Sequence, residues 1–208
     1  MLDIFSGQSD LGALARDTFE DCTVVAADKY VEMLRFSTLS ANVASDSAAL
    51  PFKPEAFDNI VVCGGLHHLR EQDFPVALKE IRDCLKPGGS FVMAEAVDDS
   101  FLISLVRKIA YPRLEELGDR EHDETVLTRK FLTGHLQKSG FEIISFRYIE
   151  NVAYAALGQT GLVSFTRWLA RGSGLAKLLV RLDRFIEKLP FSSLICFGCL
   201  VEARKPRA

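Results

Sequence analysis

Residues 57–96 read FDNIVVCGGLHHLREQDFPVALKEIRDCLKPGGSFVMAEA, and within them the hydrophobic period changes twice. Residues 57–65 carry an apolar run, Ile60–Cys63, that ends in two glycines, as a buried strand does. Phe74, Ala77, Leu78, Ile81, Cys84 and Leu85 then keep the three-to-four spacing of one helix face. Asp73 is the expected N-cap, Pro75 fits the first turn, and Pro87-Gly88-Gly89 stops the helix. The segment SFVMAEA is a second apolar strand. Strand, helix, strand with apolar runs on both sides predicts a parallel sheet covered on both faces.

Upstream, TVVAAD at 23–28 reads as a buried strand ending in an acid. MLDIFSGQSDLGAL at 1–14 reads as strand, small-residue loop and helix start. Downstream the pattern loosens. Residues 99–127 read as a helix, a Pro-marked bend and an acidic loop, an expected lid over the site. LTRKFLTGHLQKSG is a short helix stopped by Gly140, FEIISFRYIE alternates as a strand, and SSLICFGCLVEAR closes the chain as another. Residues 153–192 are expected to form a basic helical insertion before that last strand. Within 162–189, Leu175, Leu178, Leu179, Leu182, Phe185, Ile186 and Leu189 share one face. Lys177, Arg181, Arg184 and Lys188 lie off it.

With 208 residues, one domain over 1–208 is expected, large enough to fold without disulfide or metal. Net charge is −3, which gives no signal for nucleic acid. The charge is uneven: Gly161–Ala208 carries nine Lys and Arg against three acids, +6, so the rest carries −9. Such a tail can sit at a membrane interface. The simpler expectation is that its apolar face packs on the sheet while the cations stay in water. Of five scattered cysteines most sit in apolar runs, which suggests small core residues in a reducing cytosol. Cys196 and Cys199, three apart in a strand, would point to opposite faces and could not share a metal. No leader pattern opens the sequence and no stretch reaches bilayer-spanning length, so a cytoplasmic protein is expected.

Taken in order, LDIFSGQSD, VVAADKY, SDSAALPFKPEAFDNIVV, GGLHHL and LKPGGSFVMAEA resemble the class I S-adenosylmethionine-dependent methyltransferases of small-molecule type. The match is strong over about residues 1–96. The resemblance implies a doubly wound, Rossmann-like α/β fold. Its seven-stranded sheet would be mostly parallel with the last strand antiparallel, and helices would lie on both faces. It implies S-adenosylmethionine as cofactor, held by Asp3, Gly7, Ser9, Asp28, Lys29, Asp46, Ser47, Cys63 and Gly64. Asp28 would accept the ribose hydroxyls. Asp46 and the Ser47 amide would read the adenine, although Ser-Asp-Ser is also turn chemistry. His67 and His68 are candidate bases for a hydroxyl acceptor. His122 is a weaker candidate, and His135 reads as structural. A small-molecule or lipid-linked or saccharide acceptor is expected, methylated by in-line transfer; the basic 162–189 helix adds a peripheral membrane contact and the missing roof a homodimer that shares the pocket.

Three departures temper the resemblance. Where the family carries alternate glycines, this loop has Phe5, Gly7 and Ser9. A phenylalanine forced to positive φ is strained by about 1–2 kcal/mol, and its ring could crowd the cofactor; Ser9 could cap the helix and donate its hydroxyl. The family's helices before the first strand have no counterpart in this sequence: either the chain is shortened or another segment covers the site, with 99–127 and 162–189 as candidates. The interval from Asp28 to Asp46 leaves little room for a helix and a strand. A non-catalytic methyltransferase-like module is the competing reading. A nicotinamide reductase is disfavoured, because neither G-x-G-x-x-G nor Tyr-x-x-x-Lys is present.

Overall fold

The structure is a computed structural model that describes residues 1–101, 104–105, 125–149, 173–189 and 191–207. The chain runs β1 (Leu2–Ile4), α1 (Asp10–Thr18), β2 (Val25–Asp28), α2 (Val31–Leu34), β3 (Ala41–Ala44), β4 (Phe57–Cys63), α3 (Phe74–Cys84) and β5 (Leu85–Ala96). It continues with α4 (Arg129–Lys138), β6 (Glu142–Ile149), α5 (Ser173–Ile186) and β7 (Gly198–Arg204). Seven strands form one sheet in the order β3-β2-β1-β4-β5-β7-β6. The first five are parallel, and β7 inserts antiparallel between β5 and β6.

This order puts a topological switch between β1 and β4: the chain winds outward through β2 and β3, then returns to the other side. Ligands bind at such points, beyond the carboxyl ends of the strands. The register aligns those ends. Ile4 pairs with Ala27 and Val62, Asp28 with Ala44, and Cys63 with Ala94. The loops after β1, β2, β3, β4 and β5 therefore share one rim.

The periodicity of 74–85 is realised in α3, whose Phe74, Ala77, Leu78, Ile81 and Cys84 are buried. They pack with Leu2, Ile60, Phe91 and Met93 in the main core. As the short interval requires, α2 is a single turn. Residues 86–89 form a bulge between the Phe57–Leu85 and Asn59–Ser90 pairs, with Gly88 at φ +79°. A Cβ on Gly89 would lie 2.9 Å from the Asp58 and Lys86 carbonyls. His135 stacks on Phe131 at 4.1 Å and its Nδ1 lies 3.0 Å from the Phe131 carbonyl, a structural role.

Three expectations fail here. Asp73 precedes α3 with helical backbone angles and makes no cap; its carboxylate binds Arg70 Nε at 2.7 Å. Capping needs an extended residue, and here a 3-10 turn runs straight into the helix. Cys196 lies before β7 rather than in it, although it and Cys199 are both fully buried. The apolar stripe of α5 does not pack on the sheet: Leu178 is 60%, Leu182 42% and Phe185 61% exposed. Helical period fixes which residues share a face, not which face turns inward. Here Asp183 is buried, and Leu179 and Ile186 are only half-buried.

Most of the 99–127 lid and residues 153–172 of the insertion, with His122, lie outside the described residues. Among the described residues no helix is long and apolar enough to cross a membrane.

Candidate functional site

The loop after β1 holds three successive left-handed residues at alternate positions: Phe5 (φ +55°), Gly7 (φ +51°) and Ser9 (φ +64°). Only glycine adopts that conformation freely; each of the other two costs about 1–2 kcal/mol. Local hydrogen bonds hold the loop. The Ser6 amide donates to the Ala27 carbonyl at 3.2 Å, and the Ser9 amide to the Ser6 carbonyl at 2.6 Å. The Gly7 amide donates to Asp28 Oδ2 at 2.8 Å.

The Phe5 ring does not occupy open space. A Cβ on Gly65 would lie 2.3 Å from Phe5 Cβ and Cγ, so the side chain fills the place that Gly65 leaves vacant across the β1–β4 junction. Ser9 is fully buried at the start of α1, but it makes no cap. Its left-handed backbone turns the hydroxyl away from the helix amides that an extended cap residue would reach. The hydroxyls of Ser6, Ser9 and Ser45 are all buried without a hydrogen-bond partner. Unmet polar groups in a native interior are rare and costly, about 1–3 kcal/mol each. Three of them on the loops after β1 and β3 suit a polar ligand lying across these loops.

Asp28 ends β2 and is 8% exposed. Its Oδ1 accepts the Tyr30 amide and its Oδ2 the Gly7 amide, each at 2.8 Å. A carboxylate oxygen accepts more than one hydrogen bond, so both retain capacity for a diol. Asp3, 2% exposed, accepts the Gly12 amide at 3.1 Å. Burial pushes its carboxyl up to about 6; the Gly12 bond works against that rise and the charge of Asp28 adds to it. A Cβ on Gly12 would come within 2.8 Å of Leu39 Cδ1 and 3.0 Å of Asp3 Oδ2, so a larger residue would make these side chains shift.

Asp46 sits after β3 and accepts the Ala48 amide at 2.9 Å, the turn chemistry that the sequence left open. Its other oxygen is 3.9 Å from Lys29 Nζ, and both side chains are largely exposed. Ser47 beside it is buried. The structure thus gathers Asp28, Lys29, Asp46 and Ser47 on adjacent strand ends.

Across the switch, Gly64 takes φ +67° and donates to the Ala94 carbonyl at 2.8 Å. The next three residues turn around Glu95, which is 2% exposed. Glu95 Oε1 accepts the amides of Gly65 (2.9 Å) and Leu66 (2.7 Å), and Oε2 lies 2.9 Å from His67 Nδ1. Such a pairing fixes the imidazole with its Nδ1 proton toward the carboxylate and makes Nε2 the basic nitrogen. The His67 side chain is 23% exposed, and its ring lies 4.1 Å from that of His68. The Thr125 amide donates to the His67 carbonyl at 2.8 Å, tying the residue after the acidic segment to this turn.

Glu95 was missed by the sequence reading. Its signal was present: in β5 it falls in register with buried Phe91 and Met93, where an acid must find partners. The Phe5–Gly65 fit left no local signal, because the two residues are distant in sequence.

The profile of the methyltransferase-domain family matches residues 2–93. The demethylmenaquinone methyltransferase of Thermus thermophilus is 30% identical over 103 residues, 46% of this chain and 46% of that protein. The chain therefore matches about half the length of this curated relative. Among solved structures, an S-adenosylmethionine-dependent methyltransferase of Methanosarcina mazei superposes with a TM-score of 0.67 at 18% identity, covering 100% of this chain and 92% of that one. The [4+2]-cyclase SpnF superposes at 0.61 and 18% identity, covering 100% and 74%. These likenesses establish the fold, which hosts more than one reaction.

Proposed function

From residues 2–93, a methyltransferase domain carried on the class I seven-strand sheet, we propose that this chain binds S-adenosylmethionine at the β1–β4 switch and methylates a small-molecule acceptor. The carrying observation is Asp28. It is buried at a strand end, bridges the loops after β1 and β2, and lies on the rim that holds three unmet serine hydroxyls.

Asp28 would hold the ribose hydroxyls by charge-assisted hydrogen bonds. Asp46 and the Ser47 amide would read the base, with Lys29 at the side. Gly7, Cys63 and Gly64, on the loops after β1 and β4, would let the cofactor's methionine part approach the backbone, with Asp3 behind the loop and Ser9 at its end. When bound, the cofactor supplies a methyl group already activated on sulfur. The chain's tasks are then alignment, exclusion of water and proton removal. His67 Nε2 takes the proton of an acceptor hydroxyl, while Glu95 holds the ring and stabilises the imidazolium that results. His68 packs on that ring. Demethylmenaquinone, on which the Thermus relative is named as acting, is the first acceptor to assay.

The competing reading, a binding module without turnover, draws on the two strained non-glycine residues of the loop. Calorimetric titration with S-adenosylhomocysteine separates the readings when combined with a methyl-transfer assay. One-site binding is expected, weakened at least tenfold by Asp28→Ala, which removes two charge-assisted contacts of over 1 kcal/mol each. His67→Gln should bind normally and lose turnover by about 100-fold. A wild-type chain that takes up no S-adenosylhomocysteine overturns the proposal. Binding with no turnover on any acceptor leaves the module reading.

A further inference from the structure

Helix α5 carries two exposed stripes that the catalytic reading does not use. Leu178, Leu182 and Phe185 form one, at i, i+4 and i+7. Lys177, Arg181 and Arg184 form the other, each exposed and one residue ahead of an apolar one, and exposed Lys188 continues it just past the helix end at Ile186. One residue is about 100° of helix, so the cationic stripe borders the apolar one along its length. The acids of this segment lie on the opposite side: Asp183 is buried and Glu187 half-buried. Burial and the neighbouring Asp183 push the Glu187 carboxyl up. The outer face thus presents four cations, an apolar strip and no exposed acid.

The surroundings extend the apolar part. Phe191 is 50% and Leu194 57% exposed in the connection from α5 to β7. The Ser100 hydroxyl donates to the Leu194 carbonyl, which brings Phe101, 80% exposed, beside it. Ser100 follows β5 by four residues, so this surface adjoins the rim where Glu95 sits.

We infer that α5 docks this chain on an anionic lipid bilayer, lying in the interface with its apolar stripe among the acyl chains and its cations on the headgroup phosphates. A helix with this pattern binds by apolar burial together with charge attraction. Charge complementarity selects the occupant. A second copy of α5 would set four cations against four cations, and the helix is too short to span a bilayer. Docking would turn the rim toward the lipid surface and favour an acceptor that resides there.

The test uses the full chain and sedimentation with phosphatidylcholine vesicles, with and without phosphatidylglycerol. Binding is expected only with phosphatidylglycerol and should fall steeply as salt is raised. Lys177→Gln, Arg181→Gln, Arg184→Gln and Lys188→Gln together should weaken it on the order of 100-fold or more. Leu178→Ser, Leu182→Ser and Phe185→Ser together should also abolish it while leaving the circular dichroism unchanged. The lipid and salt series on the unaltered chain decides the matter if either variant fails to fold. Equal binding to neutral vesicles, no binding to either, or binding indifferent to salt overturns the inference. So does light scattering that shows a dimer dissociated by the apolar variant. Vesicle binding without S-adenosylhomocysteine binding keeps this inference and removes the one before it; the reverse result does the opposite.

Discussion

The two sides of the switch are each built around buried carboxylates, yet they differ in how completely they are satisfied. On the β4–β5 side, Glu95 receives two amides and an imidazole within 2.9 Å, and the left-handed residue of the turn is a glycine. On the β1–β3 side, two non-glycine residues are left-handed, three serine hydroxyls have no partner, and Asp3 is held up near 6 by burial. One side is finished in the chain alone. The other carries unmet polar groups, as a surface does when its last partner is a ligand. Strain and unmet donors gather at functional sites, where binding offsets them.

Breaking the finished side should cost most. Glu95→Ala strands two buried amides and the His67 ring together, so a loss of about 4 kcal/mol in urea unfolding is expected. Glu95→Gln, which can still accept on one oxygen, should lose clearly less. Equal losses for the two would mean that packing rather than hydrogen bonding holds this turn.

Next comes the acid under the unfinished side. The folded carboxyl of Asp3 is raised from 3.8 to about 6. Its contribution is therefore fully present below about pH 3.8 and lost as pH rises through 6. The difference is about 3 kcal/mol, at 1.36 kcal/mol per pH unit. Asp3→Asn cannot titrate, so its stability relative to wild type should rise between pH 4 and pH 7. A stability difference flat across that range would remove burial of the Asp3 charge as the source of tension in this loop.

The smallest effect is expected at Ser9. Ser9→Gly relieves a left-handed serine and removes an unpaired hydroxyl, so it should stabilise the isolated chain by about 1 kcal/mol. If that hydroxyl awaits a ligand, the same change should weaken S-adenosylhomocysteine binding. Stabilisation with unchanged affinity would make the β1 loop merely imperfect rather than unfinished.

Much of this was legible beforehand. The switch from strand period to helix period and back in residues 57–96 carried the β4-α3-β5 unit, because apolar spacing is a local property of the chain. Asp28 was readable as the acid that ends an apolar strand. The one-turn α2 followed from the short interval alone. Asp46 was legible only as a choice between two roles, and the turn it makes with Ala48 is the one the fold displays. Phe5 was legible as strained but not as accommodated, since Gly65, which receives its ring, is sixty residues away.

Apolar spacing alone marks the β4-α3-β5 unit, the strand that ends at Asp28 and the closing strand, all governed by neighbours a few residues apart, while α2 and β3 left no such mark. Only the tertiary structure decided that Glu95 organises the β4 turn, that Phe5 rests on Gly65, and that the apolar stripe of α5 faces outward. Each of these depends on which distant surface arrives opposite a residue. Periodicity records the preferences of one segment and contains nothing about its eventual partner.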